Sequence, residues 1–374
     1  MSPASGPLET AVKGVPPFAF TPNPSPRTPA ERAAELADPA FGVVYSDHMA
    51  RITWDEGQGW HDHRVVPFAN LELSPAASVL HYAGEIFEGL KVYRHADGSL
   101  FTFRPYANAA RFARSARRMA LPELPEADFV ASLQALTQAD AEWVPSAPET
   151  SLYLRPFMLA TEPFIGVRPS HRVEYIVIAS PVGSYFKGGV APVSIWVEKE
   201  THRAGVGGTG AAKTGGNYAA AMLGQENAYA HGCEQVLFLD SVTSTTIEEL
   251  GGMNVFVVYK DGSVATPPTS GTILEGVTRS SIIQLLRDRG LKVSETPIKL
   301  AELVAGAKDG SVAEVFACGT AAVVTPVKRL AGEGFDVPVA DGGAGELTMS
   351  VRQELTDIQY GRLPDPHEWT YRLV

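Results

Sequence analysis

The chain has 374 residues, 45% hydrophobic and 20% charged, enough for about two domains of ordinary soluble composition. Its 31 basic and 42 acidic residues leave a net charge of −11, which repels nucleic acid and anionic membrane and excludes both as partners. No apolar run approaches the roughly 18 residues of a membrane span, since the longest, 175–179 and 255–259, are strand-sized.

In chain order, prolines at 3, 7, 16, 17, 22, 24, 26 and 29 dominate an N-terminal arm, residues 1–40. It lacks the apolar core of a signal peptide and the Arg-rich helix of a transit sequence, so it is expected to be partly extended or disordered, in a cytoplasmic protein. From 41 to 182 short strands at 65–68, 100–103, 152–156 and 175–180 bracket helices, one carrying Phe129, Leu133, Leu136 and Trp143 at helical spacing. This predicts a small α+β domain. The glycine-rich stretch 183–192 reads as a connection, and 193–374 as a larger mixed α/β domain. There, strands at 193–197, 235–239, 255–259 and 314–317 alternate with helices 218–230 and 278–289, stopped by Gly232 and Gly290.

Cys233 and Cys318 are too far apart in sequence to form a disulfide framework or a metal site, which fits a reducing compartment. His61-Asp62-His63 has no third ligand at a recognisable interval and reads as exposed polar alternation, so no metal is expected. No repeat of fixed period and no G-x-S-x-G elbow occurs.

The densest glycine cluster, 203–218, admits three readings. Gly205, Gly207 and Gly210 form a G-x-G-x-x-G, but strand-like sequence ends near Glu198 instead of running into the first glycine. Residues 207–214 nearly match a G-x-x-x-x-G-K-T phosphate loop of a nucleotide-binding ATPase. Ala212 replaces its last glycine, and helical sequence is expected only after Gly215-Gly216. The third reading is a glycine loop with a solvated lysine. Small residues flank Lys213 on both sides and let a planar group approach its amine, and an enclosed lysine is a Schiff-base nucleophile.

Residues 203–218, with Lys213 and Tyr218, and residues 246–256, with Glu249-Leu250-Gly251-Gly252-Met253-Asn254, resemble the branched-chain amino acid aminotransferases, fold type IV pyridoxal-phosphate enzymes. Leu80-His81-Tyr82, Phe87-Glu88-Gly89-Leu90-Lys91, Arg104-Pro105-Tyr106-Ala107-Asn108 and Ala317-Cys318-Gly319-Thr320-Ala321 extend the resemblance, as do Ile358-Gln359-Tyr360-Gly361 and His367-Glu368-Trp369. The motifs run in one order over nearly the whole chain.

The resemblance implies a transaminase that moves the amino group of leucine, isoleucine or valine to 2-oxoglutarate, with glutamate and branched-chain 2-oxo acids as the other substrates. The mechanism it implies is ping-pong, through an aldimine of pyridoxal 5'-phosphate on Lys213, which also moves the proton. Glu249 would face the pyridine nitrogen and Tyr218 the phenolic oxygen, with Arg203 on the cofactor side. Val277, Thr278, Arg111 and Thr320 would hold the phosphate, the first two at a helix N-terminus. Tyr82, Phe87, Tyr153 and Arg155 would receive the substrate side chain, and Thr320, Ala321 and Ala322 its carboxylate. Tyr82 would act from a second subunit, which implies a homodimer.

Gly252 stands where animal members carry threonine, and Glu275 where proline is usual. Ala322 and Thr325 occupy the places of a redox-sensing cysteine pair in mammalian relatives, and the glycine motifs are closer to the bacterial long-chain subgroup. The rival readings are D-amino acid aminotransferase, aminodeoxychorismate lyase, the ATPase above, or a non-catalytic binding protein.

Overall fold

The computed structural model describes residues 6–183 and 190–374, so the expected connection at 183–192 lies for the most part outside the described residues. The chain forms two compact units, 1–185 with 357–374, and 186–356.

The first unit is built on a nine-stranded sheet, antiparallel apart from one edge pair. Its centre is the long pair Ser151–Ala160 and Arg172–Val182, almost continuously buried, as strands covered on both faces must be. Helices Pro105–Arg118 and Glu126–Ala139 pack Phe112, Phe129, Leu133 and Leu136 into its core with Ile52, Val65 and Val177. Trp143 lies beyond that second helix, in the separate turn Ala141–Trp143, because the helix stops at Asp140, whose carboxylate accepts from the backbone and ring of His48.

Several expectations change here. The N-terminal arm is packed from residue 6 onward: Phe18 is fully buried, Ala19–Phe20 pairs with the sheet edge, and Gln134 accepts from the Ala11 N–H. Helix Pro29–Ala37 follows, opened by a Thr28–Glu31 capping box. The C-terminal segment expected in the second domain belongs to the first, because strand Thr370–Arg372 pairs with Leu100–Phe103. Counting both segments, the N-terminal unit is the larger one. His61 and His63 are not an exposed alternation either. His63 Nε2 meets Asp128 at 2.6 Å and His61 Nδ1 meets the Thr53 carbonyl, so both have partners inside the fold.

The second unit holds a mixed nine-stranded sheet. Strands Val193–Glu198 and Gln235–Leu239 pair in parallel. A parallel pair needs a crossover, and helix Gly215–Ala230 provides it, packing on both strands. The glycine cluster is therefore the link from the carboxyl end of a strand to a helix, the usual place for a ligand site in such a sheet. Helix Val277–Asp288 packs Ile282, Leu285 and Leu286 inward and contacts strand Val312–Gly319.

Candidate active site

Asn217, in the first turn of the crossover helix, fastens the glycine loop. Its Nδ2 donates to the Thr209 and Ala212 carbonyls, both at 2.8 Å, and its Oδ1 accepts from the Thr209 hydroxyl at 2.7 Å. This leaves Lys213 half-buried, with Nζ donating to the Tyr218 hydroxyl at 2.6 Å. The helix begins at Gly215, directly after Thr214, and not beyond the two glycines as the sequence suggested. The helix start therefore does not argue against a phosphate loop. What does is that the preceding strand ends at Glu198, and that the lysine amine is held by a tyrosine of the adjoining helix.

Strand Ile247–Leu250 is buried throughout, and its period-2 alternation sends the adjacent acids Glu248 and Glu249 to opposite sides. Glu248 accepts from the Thr272 hydroxyl at 2.5 Å. Glu249 meets Arg203 at 3.0 Å, both side chains 3% exposed, and accepts the Leu274 N–H at 2.8 Å. Arg203 also donates to the Gly210 and Thr272 carbonyls at 3.2–3.4 Å. The expected cofactor-side arginine is thus a partner of Glu249. Burial pushes the Glu249 carboxyl up to about 7, against the opposing pull of Arg203, the Leu274 N–H and Lys213.

Asn254 donates to the Leu274 carbonyl at 3.1 Å, and Gly276 lies so close that a Cβ there would come within 2.0 Å of Asn254 Oδ1. Only glycine fits, and helix Val277–Asp288 starts from it with Val277 and Thr278 buried in its first turn. The helix dipole makes this end favourable for an anion. Thr320, Ala321 and Ala322 form the turn joining antiparallel strands Val312–Gly319 and Val323–Gly332.

In the first unit, Phe87-Glu88-Gly89 is read by alternation. Phe87 and Tyr153 flank Arg155, whose guanidinium lies 4.8 and 5.3 Å from their ring centroids and donates to the Tyr153 hydroxyl at 3.1 Å. Arg155 Nε is buried with no hydrogen-bond partner. A Cβ at Gly89 would come within 2.0 Å of the Tyr153 hydroxyl, so that glycine makes room for the ring. Glu88 points the other way and is fully buried. It binds Arg111 through both oxygens at 2.7 Å and Asn108 at 2.8 Å. Arg111, expected at the phosphate, is therefore oriented by a bidentate carboxylate. Tyr82 ends the short helix Val79–Tyr82, 46% exposed, with its hydroxyl on the Ile165 carbonyl.

Sequence reasoning gave no role to Glu88, Asn217 or Asn254, although each stands inside a quoted motif. An acid or amide among glycines was the available signal. Phe41, whose ring centroid is 5.0 Å from that of Tyr153, sits just past the proline-rich arm and gave none.

A pyridoxal phosphate needs an amine, a donor for its phenolic oxygen, an acid for its ring nitrogen and an anion site. Lys213, Tyr218, Glu249 and the Val277-Thr278 helix start offer groups of these kinds, and their chemistry fits pyridoxal phosphate. The family model described as "Amino-transferase class IV" matches residues 85–330. The branched-chain-amino-acid aminotransferase of Mycolicibacterium smegmatis is 51% identical over 99% of each chain. That of Mycobacterium tuberculosis is 53% identical over 93% of this chain and 96% of its own. Among solved structures, the T.th. branched-chain amino acid aminotransferase with pyridoxamine 5'-phosphate has a TM-score of 0.72 at 27% identity, covering 87% of this chain and 99% of that one. The chain belongs to the class IV amino-transferases, among the branched-chain-amino-acid aminotransferases, and is a transaminase with pyridoxal phosphate as its cofactor.

Proposed function

We propose that the protein transfers the amino group of leucine, isoleucine or valine to 2-oxoglutarate by a ping-pong mechanism, with Lys213 as its covalent and proton-moving residue. The observation that carries this reading is the 2.6 Å contact of Lys213 Nζ with Tyr218, in the same unit as the buried Glu249–Arg203 pair. Bound there, pyridoxal phosphate supplies the aldehyde that captures an amino group and the ring that accepts the electrons left at Cα. Lys213 Nζ would hold the cofactor and carry the proton from the substrate Cα. Tyr218 keeps that amine in place through its hydroxyl. Glu249 would share a proton with the ring nitrogen, a task its raised affinity for protons suits. Val277, Thr278 and Thr320 would hold the phosphate, and the amides of the 320–322 turn would bind the substrate carboxylate.

Phe87 and Tyr153 offer rings to an apolar substrate side chain, and Arg155 offers its donors to the glutamate carboxylate in the other half-reaction. The assembly we propose is a homodimer, since Tyr82, Leu80 and Ile165 leave apolar surface exposed on the first unit. No helix among the described residues is long and apolar enough to cross a membrane, and both cysteines are free and buried. The free cysteines support residence in the reducing cytoplasm.

Borohydride reduction of the holoenzyme followed by peptide mapping is expected to place the pyridoxyl group on Lys213, and an adduct on any other lysine sinks the assignment. In parallel, leucine, isoleucine and valine should each bleach the cofactor absorbance. A response to D-alanine in their place would move the enzyme to another branch of its fold.

A further inference from the structure

Val323 opens strand Val323–Gly332 directly after the 320–322 turn, with φ of +61°. A β-branched residue is strained there, because its Cβ crowds the neighbouring carbonyl, and such strain lasts only where the surroundings hold it. The holding group is on another element. Arg352, in helix Glu346–Gln359 and 8% exposed, donates from one guanidinium nitrogen to the Ala322 carbonyl at 3.1 Å and the Val324 carbonyl at 3.4 Å. The two acceptors bracket Val323. Relaxing φ to a negative value rotates the 322–323 peptide plane, and a buried cation on that plane's oxygen opposes the rotation.

We propose that Arg352 is a positioning residue for substrate carboxylates: it clamps the strained turn so that the 320–322 amides stay aimed at the carboxylate which every amino and oxo acid substrate shares. This rests on the reading of that turn as the carboxylate site. Arg352 grips backbone carbonyls, so it acts through the turn, and its effect falls on binding more than on the chemical step. Preorganised amides lose their value when displaced by even an ångström. The strain also makes a prediction that a plain packing role does not. Glycine at 323 adopts a positive φ without crowding, so it removes the need for the clamp.

The test uses holoenzyme: wild type, Arg352→Met, Arg352→Lys, and Arg352→Met combined with Val323→Gly. Two quantities are read, hydrogen exchange of the 320–326 amides and the inhibition constant of 4-methylvalerate, a branched carboxylate that cannot react. Arg352→Met should speed exchange and raise both the inhibition constant and the leucine KM by roughly 10- to 100-fold. The kcat should fall much less, with the cofactor spectrum unchanged. Arg352→Lys should lie between, and adding Val323→Gly should recover most of the lost affinity. If Arg352→Met does not fold, Arg352→Lys is read on the same two measurements. Unchanged exchange would overturn the clamp itself. Faster exchange with an unchanged inhibition constant would instead overturn the placement of the carboxylate at this turn.

Discussion

Arg203 and Arg155 are buried or half-buried arginines of the two units, and they are held in opposite ways. Arg203 is committed: a carboxylate at 3.0 Å and the Gly210 and Thr272 carbonyls take both of its terminal nitrogens, leaving only a buried Nε without a partner. Arg155, whose Nε is buried without a partner like that of Arg203, rests on the Phe87 and Tyr153 rings and gives a single hydrogen bond from its terminal nitrogens, to a phenol. A guanidinium enclosed by fixed acceptors tunes a neighbour, here Glu249. One laid on aromatic faces keeps donors for a group that arrives and leaves.

The largest effects are expected at the committed pair. Glu249→Gln removes a preorganised charge and should slow the single-turnover proton transfer by about 100- to 1000-fold, or 2.7–4 kcal/mol, with the cofactor retained. Near-normal rates would mean that the ring nitrogen is served by another group. The same residue sets a pH signature in cofactor-free protein. Its folded value, about 7, is above the ordinary 4.5, so its contribution to stability is fully present below pH 4.5 and is lost as pH rises through 7. Wild type should therefore lose stability relative to Glu249→Gln across that window in urea titrations, by on the order of 3 kcal/mol. Parallel pH curves for the two proteins would show that Glu249 is ionised throughout.

A smaller and more selective effect is expected at Arg155. An unpaired carboxylate in an apolar pocket costs several kcal/mol, so a pocket for leucine needs a counter-charge to admit glutamate. Arg155→Gln should weaken the glutamate half-reaction by roughly 2 kcal/mol, the low end for a desolvated pair because the residue is half-buried. The leucine half-reaction should change much less. Equal losses in stopped-flow traces of both amino acids would make Arg155 a support for the rings and not a reader of substrate.

How much of this was legible in the sequence follows from the range of the interactions. Period-2 alternation was enough to put Tyr153 and Arg155 on one strand face, and 3.6-residue spacing to find the helix carrying Phe129, Leu133 and Leu136. Pairings across long separations were not legible: Arg203 with Glu249, Glu88 with Arg111, and Thr370–Arg372 with Leu100–Phe103 depend on topology that no local pattern encodes. Proline content misled at the arm, since prolines that forbid helix and inner strand also suit an extended chain laid along a sheet edge, anchored by Phe18. Lys213, Tyr218 and Glu249 were found through a resemblance. Spacing alone left the glycine loop with three readings.

The smallest expected effect is none at all. Burial raises the Glu249 carboxyl, and it acts in the same direction on the neighbouring thiol: Cys318, fully buried, is pushed up to about 12, with the negative charge of Glu249 adding to the shift and Arg279 opposing it. Peroxide attacks the thiolate, which such a thiol hardly forms at neutral pH. The strand register sets Cys318 opposite Val324 and Ala317 opposite Thr325, so no second thiol faces it to trap an oxidised sulfur. Cys233, the other cysteine, is also buried and raised by burial, and its Sγ sits 3.8 Å from an Arg329 nitrogen whose guanidinium is bidentate with Asp336. Activity should therefore survive mild peroxide unchanged, and both cysteines should label only after unfolding. A loss of activity that thiols reverse would mean that one of them opens to solvent in the native enzyme. Cys318→Ala and Cys233→Ala would then show which, since the variant lacking the responsible sulfur keeps its activity under the same treatment.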